Sequence, residues 1–173
     1  DLKMMRRTWI LLIALWGTIV GMAQSVMLTE RYNVSYIDLR SGLPHNNVSA
    51  IFVDSNGFLW IGTYGGGLVR YDGYGMMTPA MWLKSNSCKS IAEDRFKRLW
   101  VAFDEGTNII DLNTMMGISP ESLSDSVRTM LPEPSTKAYC GALGRIWLVT
   151  FSSVNLLAFD EYGRICKVST YRY

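Results

Sequence analysis

Any chemistry this chain performs has to come from few residues. His45 is its one histidine, and with Ser41 or Ser49 and an aspartate it supplies the residue types of a hydrolase triad. A triad needs a nucleophile on a strained turn with a base beside it, and neither serine sits in a Gly-x-Ser-x-Gly elbow. No catalytic residue is assigned, and the chain is expected not to be an enzyme. Cys88, Cys140 and Cys166 form no Cys-x-x-Cys pair, and a single histidine does not complete a zinc set of the usual spacing, so no metal ligand is assigned. Gly65-Gly66-Gly67 follows an apolar run as phosphate cradles do. It lacks both the lysine of a P-loop and a following helix to hold an anion. A tight turn needing positive φ accounts for it, and no cofactor is expected.

What remains is aromatic. Aromatic faces stack on sugar rings as readily as they fill cores, and each buries on the order of 150–250 Å². Trp60, Trp100 and Trp147 stand inside the aliphatic runs Leu59-Trp60-Ile61, Leu99-Trp100-Val101 and Ile146-Trp147-Leu148. Those settings assign all three to the core. Tyr64 and Tyr74 lie in or beside turns and are the candidate ligand-binding residues.

The elements that must position these residues repeat. Asp54-Ser55-Asn56-Gly57 leads into the run around Trp60, which breaks at the three glycines and resumes as Leu68-Val69-Arg70-Tyr71, the pattern of a β-hairpin. Asp94 precedes Trp100 by the same six residues that separate Asp54 from Trp60, and the three tryptophans are 40 and 47 residues apart. Each is followed by an apolar strand ending at Asp72, Asp111 or Asp160. Short strands repeating every 40 to 50 residues describe propeller blades. Val48 to Val53 is apolar on both faces, as suits a strand covered by sheets on either side. Blades are expected at about 48–83, 87–118 and 126–173, with Met76 to Leu83 as the fourth strand of the first. Pro79 would put that strand at an edge. Ser126 to Leu131 has strand character and is the candidate opening of the third blade.

Ahead of the blades, Arg6-Arg7 precede an apolar stretch from Trp9 to Val20 that ends in Gly21-Met22-Ala23. Residues 1–23 read as a signal peptide, and 24–47 as a lead-in segment. The apolar stretch is shorter than the roughly 20 residues of a membrane span, and the paired arginines also suit twin-arginine export. Without the leader the basic count falls from 17 to 14 and the acidic count from 15 to 14. No basic stripe remains for nucleic acid. The odd number of cysteines allows at most one internal disulfide. Cys140 with Cys166 is the pairing within one repeat, and buried or idle thiols are the alternative.

Ser41-Gly42-Leu43-Pro44-His45-Asn46-Asn47-Val48, followed by Asp54, Gly57, Leu59-Trp60-Ile61-Gly62-Thr63, Gly66-Gly67-Leu68 and Arg70-Tyr71-Asp72-Gly73, resembles the two-component regulator propeller repeat of the periplasmic sensor region of hybrid histidine kinases. The second repeat keeps Asp94, Trp100, Gly106 and Asp111 but has Ala102 in place of the glycine. The third keeps Gly144, Trp147 and Asp160, with Gly141 at the aspartate position. The fold expected is all-β, an incomplete β-propeller of about three four-stranded blades.

The resemblance implies the N-terminal part of a periplasmic sensor that detects an oligosaccharide and controls glycan-utilisation genes through a phosphorelay. It also implies further blades as partners, and contact with the membrane only through the leader or a downstream helix. A lyase-type propeller enzyme and an exported interaction module without a kinase are the competing readings.

Overall fold

The computed structural model describes residues 34–79, 83–118, 122, 124, 129 and 134–173. The expected signal peptide and residues 24–33 of the lead-in segment lie outside the described residues, as does most of Ser126–Leu131. The chain divides into two units, Asp1–Ser35 and Tyr36–Tyr173. All the strands below belong to the second. Among the described residues no helix is long and apolar enough to cross a membrane.

Three four-stranded antiparallel sheets follow in chain order. The first comprises β1 (Val48–Val53), β2 (Leu59–Thr63), β3 (Gly67–Tyr71) and β4 (Met76–Met77), and the second β5 (Cys88–Glu93), β6 (Arg98–Phe103), β7 (Gly106–Asp111) and β8 (Met116–Gly117). The third is built from β9 (Ser135–Cys140), β10 (Ile146–Thr150), β11 (Ser153–Phe159) and β12 (Ile165–Arg172). Each sheet is a meander whose strands pair in sequence order. The described residues are thus all-β, and they hold three blades of a propeller that closes with four or more. The fourth strand of the first sheet is two residues long, and the third sheet opens with Ser135–Cys140, a polar stretch whose strand character lies in its pairing with β10.

Aspartate organises the first turn of each of the first two sheets. Asp54 Oδ1 accepts from the amides of Asn56 and Phe58 at 2.9 and 3.0 Å, and Oδ2 from the indole nitrogen of Trp60 at 2.7 Å. Asp94 repeats this with Phe96, Arg98 and the Trp100 indole, and its Oδ2 also receives Arg98 Nε at 2.7 Å. The six-residue spacing exists because one carboxylate caps the turn and satisfies a buried indole donor. Gly57 takes φ 87° in the first turn, and Lys97 holds the same place in the second at φ 58°, a left-handed conformation costing about 1 kcal/mol or more outside glycine.

The sheets pack face to face in series. Trp60 and Leu68 enter the first seam with Ile91, Leu99, Val101, Phe103 and Ile110 of the second sheet. Trp100, Ala92 and Ile109 enter the next with Ala138, Ile146, Leu148 and Leu157. Each of the first two tryptophans points at the following sheet and is wholly buried. Trp147, with no following sheet among the described residues, is only half-buried. At Gly141 a Cβ would lie 2.9 Å from the Trp147 indole nitrogen, so the indole fills the room that aspartate takes in the other sheets.

Polar links join the seams. Ser55 bonds Glu93 through its amide at 2.7 Å, Lys97 Nζ reaches Asn56 Oδ1 at 2.9 Å, and Arg98 Nη1 donates to the Gly163 carbonyl at 2.6 Å. Cys88, Cys140 and Cys166 are all free thiols, so the Cys140–Cys166 pairing is not formed: Cys166 lies exposed on β12, with its Sγ against the Ala158 carbonyl.

Candidate functional site

A bulge interrupts the first strand of every sheet at the same place. Register shifts between Val48 and Ala50 in the first sheet and between Cys88 and Ser90 in the second, while in the third Ser135 and Lys137 pair with adjacent residues Thr150 and Val149. The extra residues are Ser49, Lys89 and Thr136. A bulge re-aims its side chain, and here the side chains turn to different tasks. Ser49 Oγ donates across the seam to the Cys88 carbonyl at 2.6 Å, Thr136 Oγ1 donates to the Val149 carbonyl at 3.2 Å, and Lys89 leans over the ring of Tyr64, its Nζ 4.3 Å from the centroid.

Tyr64, Asp104 and Phe151 each follow directly on the second strand of a sheet, because Thr63, Phe103 and Thr150 pair with the equivalent first residues Val48, Cys88 and Ser135. Tyr64 is 48% exposed and Phe151 71%. Tyr64 is held by its amide, which donates to the Asn47 carbonyl at 2.8 Å, and by a bridge to Ser87. Gly65 and Gly67, at φ 107° and 77°, turn their amides onto the Asn86 carbonyl at 2.8 Å each. The glycine run is thus a turn that docks on the loop entering the second sheet.

Asp104 completes the cluster. Its Oδ1 accepts from the Ser85 hydroxyl, whose oxygen in turn accepts from the Ser87 amide at 2.9 Å. The Ser85 hydrogen bond, with smaller help from Ser87 and from the charge of Lys89, holds the Asp104 carboxyl below the usual carboxylate range. A half-exposed aromatic ring, an ammonium, a carboxylate and two serines therefore meet at one end of the first seam. Such a set offers a hydrophobic plane flanked by donors and acceptors, the make-up of sites for small polar ligands.

Of the two tyrosines marked in the sequence, only Tyr64 belongs to this cluster. Tyr74 is 98% exposed and follows β3, at the opposite end of the first sheet, where Leu59 pairs with Tyr71. Strand length alone separates them by about 15 Å. Lys89 and Asp104 carried no sequence signal, since their placement depends on a bulge and on packing between sheets. His45 does not meet a serine nucleophile: its Nδ1 accepts from the Asn47 amide at 3.1 Å, and Ser49 Oγ donates to carbonyls. Among the described residues no group of three His, Cys, Asp or Glu could hold a metal.

Serial four-stranded meanders, with Trp60 and Trp100 each buried against the following sheet, define a propeller-repeat fold. Residues 42–65 match the two component regulator propeller family, so the chain carries at least one such repeat, and it is the one that contributes Tyr64. No curated protein matches the sequence.

Among solved structures, the chain is similar to the extracellular domain of a B. thetaiotaomicron protein described as a hybrid two component system, with a TM-score of 0.56 and 20% identity over 80% of this chain and 17% of that one. It is also similar to an auxiliary nutrient binding protein from Bacteroides ovatus (TM-score 0.53, 9% identity, 71% of this chain and 31% of that one). Streptogramin B lyase is a third likeness (TM-score 0.52, 12% identity, 73% and 40%). At these identities the likeness is one of fold, and this chain spans less than half the length of each.

Proposed function

We propose that this chain forms part of the periplasmic ligand-sensing propeller of a hybrid two-component system, and that the ligand is an oligosaccharide read in part by Tyr64, Lys89 and Asp104. The convergence of these three side chains at the end of the first seam carries the reading. A pyranose stacks its C–H face on an aromatic ring, and its hydroxyls suit a nearby carboxylate and ammonium. The match at residues 42–65 and the fold shared with an extracellular two-component domain support the sensor context. The role is binding rather than catalysis. In such a system signalling is the work of kinase and regulator parts, and further blades supply the rest of the ligand wall.

The test is saturation-transfer NMR of the chain against a panel of oligosaccharides. One ring and three polar groups should give weak binding, with a Kd on the order of 1 mM, weakened at least tenfold by Tyr64→Ala and by Asp104→Ala. Silence across the panel, or binding indifferent to both substitutions, would refute the assignment.

A further inference from the structure

One position in the first sheet breaks the pattern of the other two. The residue paired with the tryptophan across the second and third strands is Arg70 in the first sheet, Ile109 in the second and Leu156 in the third. A guanidinium thus stands beside Trp60 where the other sheets keep an aliphatic side chain. Its five N–H donors call for carboxylates or carbonyls, yet neither ion pair among the described residues includes Arg70. The carboxylates of Asp72 and Asp111, in the turns at this end, accept from the amides of Tyr74 and Gly75 and of Asn113 and Thr114.

What surrounds Arg70 instead is soft. Nη1 donates to Sδ of Met115 and Nη2 to Sδ of Met77, each at 3.5 Å, and the guanidinium carbon lies 4.3 Å from the centre of the Phe58 ring. Nε is buried and makes no hydrogen bond among the described residues. Thioether sulfur is a weak acceptor, so a charged group where two sheets meet has its donors poorly used. Met77 pairs with Arg70 across β3 and β4 and is 50% exposed. Met115 comes from the β7–β8 turn of the second sheet and is half-buried. It takes φ 59°, a left-handed conformation in which glycine is at ease and methionine is strained. The turn therefore holds a long side chain against its backbone preference, and what that side chain brings to Arg70 is its sulfur.

We propose that Met77 and Met115 form a reversible oxidation site read by Arg70, its substrates small oxidants of the hydroperoxide class. The sulfur lone pair attacks one oxygen of hydrogen peroxide and the O–O bond breaks. Sulfur gives up two electrons, the departing hydroxide takes the proton from the transferred oxygen, and the products are a sulfoxide and water. The sulfoxide is polar, and its oxygen is a far stronger acceptor than the sulfur it replaces. At either methionine it meets guanidinium N–H groups already in place, the unpartnered Nε among them. A sulfoxide at Met115 ties the second sheet to the first through a charge-assisted hydrogen bond, and one at Met77 holds β4 to β3. Oxidation at these two positions thus tightens the first seam, whereas a sulfoxide in an apolar setting disrupts packing. The half-exposed Met77 is the one an oxidant reaches first. This inference does not rest on the ligand reading and uses none of its residues.

The test treats the full chain with hydrogen peroxide, locates the added oxygen by peptide mass spectrometry and follows urea unfolding by circular dichroism. Met77 should gain oxygen first and Met115 after it, and the unfolding equilibrium constant should fall by about threefold or more, as a hydrogen bond to a charged group is gained. Methionine sulfoxide reductases should return it to its starting value. In Arg70→Leu the same treatment should raise the constant, because the new oxygens then face aliphatic carbon. Should that variant not fold, the double substitution Met77→Leu with Met115→Leu nearly conserves volume and should show no fall on oxidation. Met116, next in the chain and 67% exposed, is the internal control. Oxidation of Met116 with Met77 and Met115 spared, an unchanged or raised constant in the oxidised unaltered chain, or a fall that persists in either variant would each overturn the proposal.

Discussion

Replacing Asp94 by alanine should destabilise the protein more than the same change at either related aspartate. Asp94 is 4% exposed and one carboxylate serves four donors: the Phe96 and Arg98 amides, Arg98 Nε and the Trp100 indole. In its ion pair with Arg98 the side chains are 8% and 0% exposed, and removing one member of a buried pair costs about 3–5 kcal/mol. The orphaned indole would add about 1–3 kcal/mol alone. These costs share one carboxylate and do not sum, and Arg98 keeps the Gly163 carbonyl and the face of Phe159, 4.6 Å away. A loss of about 4 kcal/mol is expected for Asp94→Ala. Asp54 serves two amides and the Trp60 indole with no ion pair between, so Asp54→Ala should cost about 2 kcal/mol. Asp160 pairs with an Arg164 side chain that is 69% exposed, and Asp160→Ala should cost the least of the three, because solvent screens an exposed pair. Urea unfolding followed by far-ultraviolet circular dichroism and tryptophan fluorescence measures all three. An Asp94→Ala loss no larger than that of Asp160→Ala would refute the view that the buried carboxylate holds turn, arginine and tryptophan together.

Two further outcomes follow from the packing. Trp60→Ala should cost about 3–5 kcal/mol, because Trp60 is fully buried in the first seam, while Trp147→Ala, on an open face, should cost less than half as much; thermal melts that rank them the other way would contradict the serial seams. Burial pushes the Cys88 thiol from its ordinary 9.0 up to about 12. The unfolded chain gives up this proton near pH 9 while the folded chain keeps it, so this contribution to stability is intact below about pH 9 and lost as pH rises toward 12. Relative to the unaltered chain, Cys88→Ala should lose less stability over that interval in urea titrations, and a thiol reagent at pH 8 should label exposed Cys166 but leave folded Cys88 untouched.

The periodicity of Asp54, Trp60, Asp94 and Trp100 was legible because a carboxylate and an indole six residues apart recur only where the same turn recurs. Ser135–Cys140 was not legible as a strand, since Ser-Thr-Lys-Ala-Tyr-Cys has little apolar alternation and is held by the ladder to β10. The burial of Trp147 was overestimated from its aliphatic flanks: Ile146 and Leu148 point into the second seam and are buried, and alternation puts the residue between them on the other face.

From the candidate site the sequence offered Tyr64, on the strength of its place beside a glycine turn. It gave no reason to separate Tyr64 from Tyr74, nor to bring in Lys89 and Asp104. By itself the sequence determined the blade: strand content, the Asp–Trp turn and the glycine turn are set by hydrogen bonds and φ preferences within about 20 residues. Only the tertiary structure decided the rest. Which face each tryptophan presents, which faces stay bare and which side chains meet at a seam depend on register, on one bulged residue per sheet and on the packing of sheets some 40 residues apart. Contacts at that distance leave no local pattern in the chain.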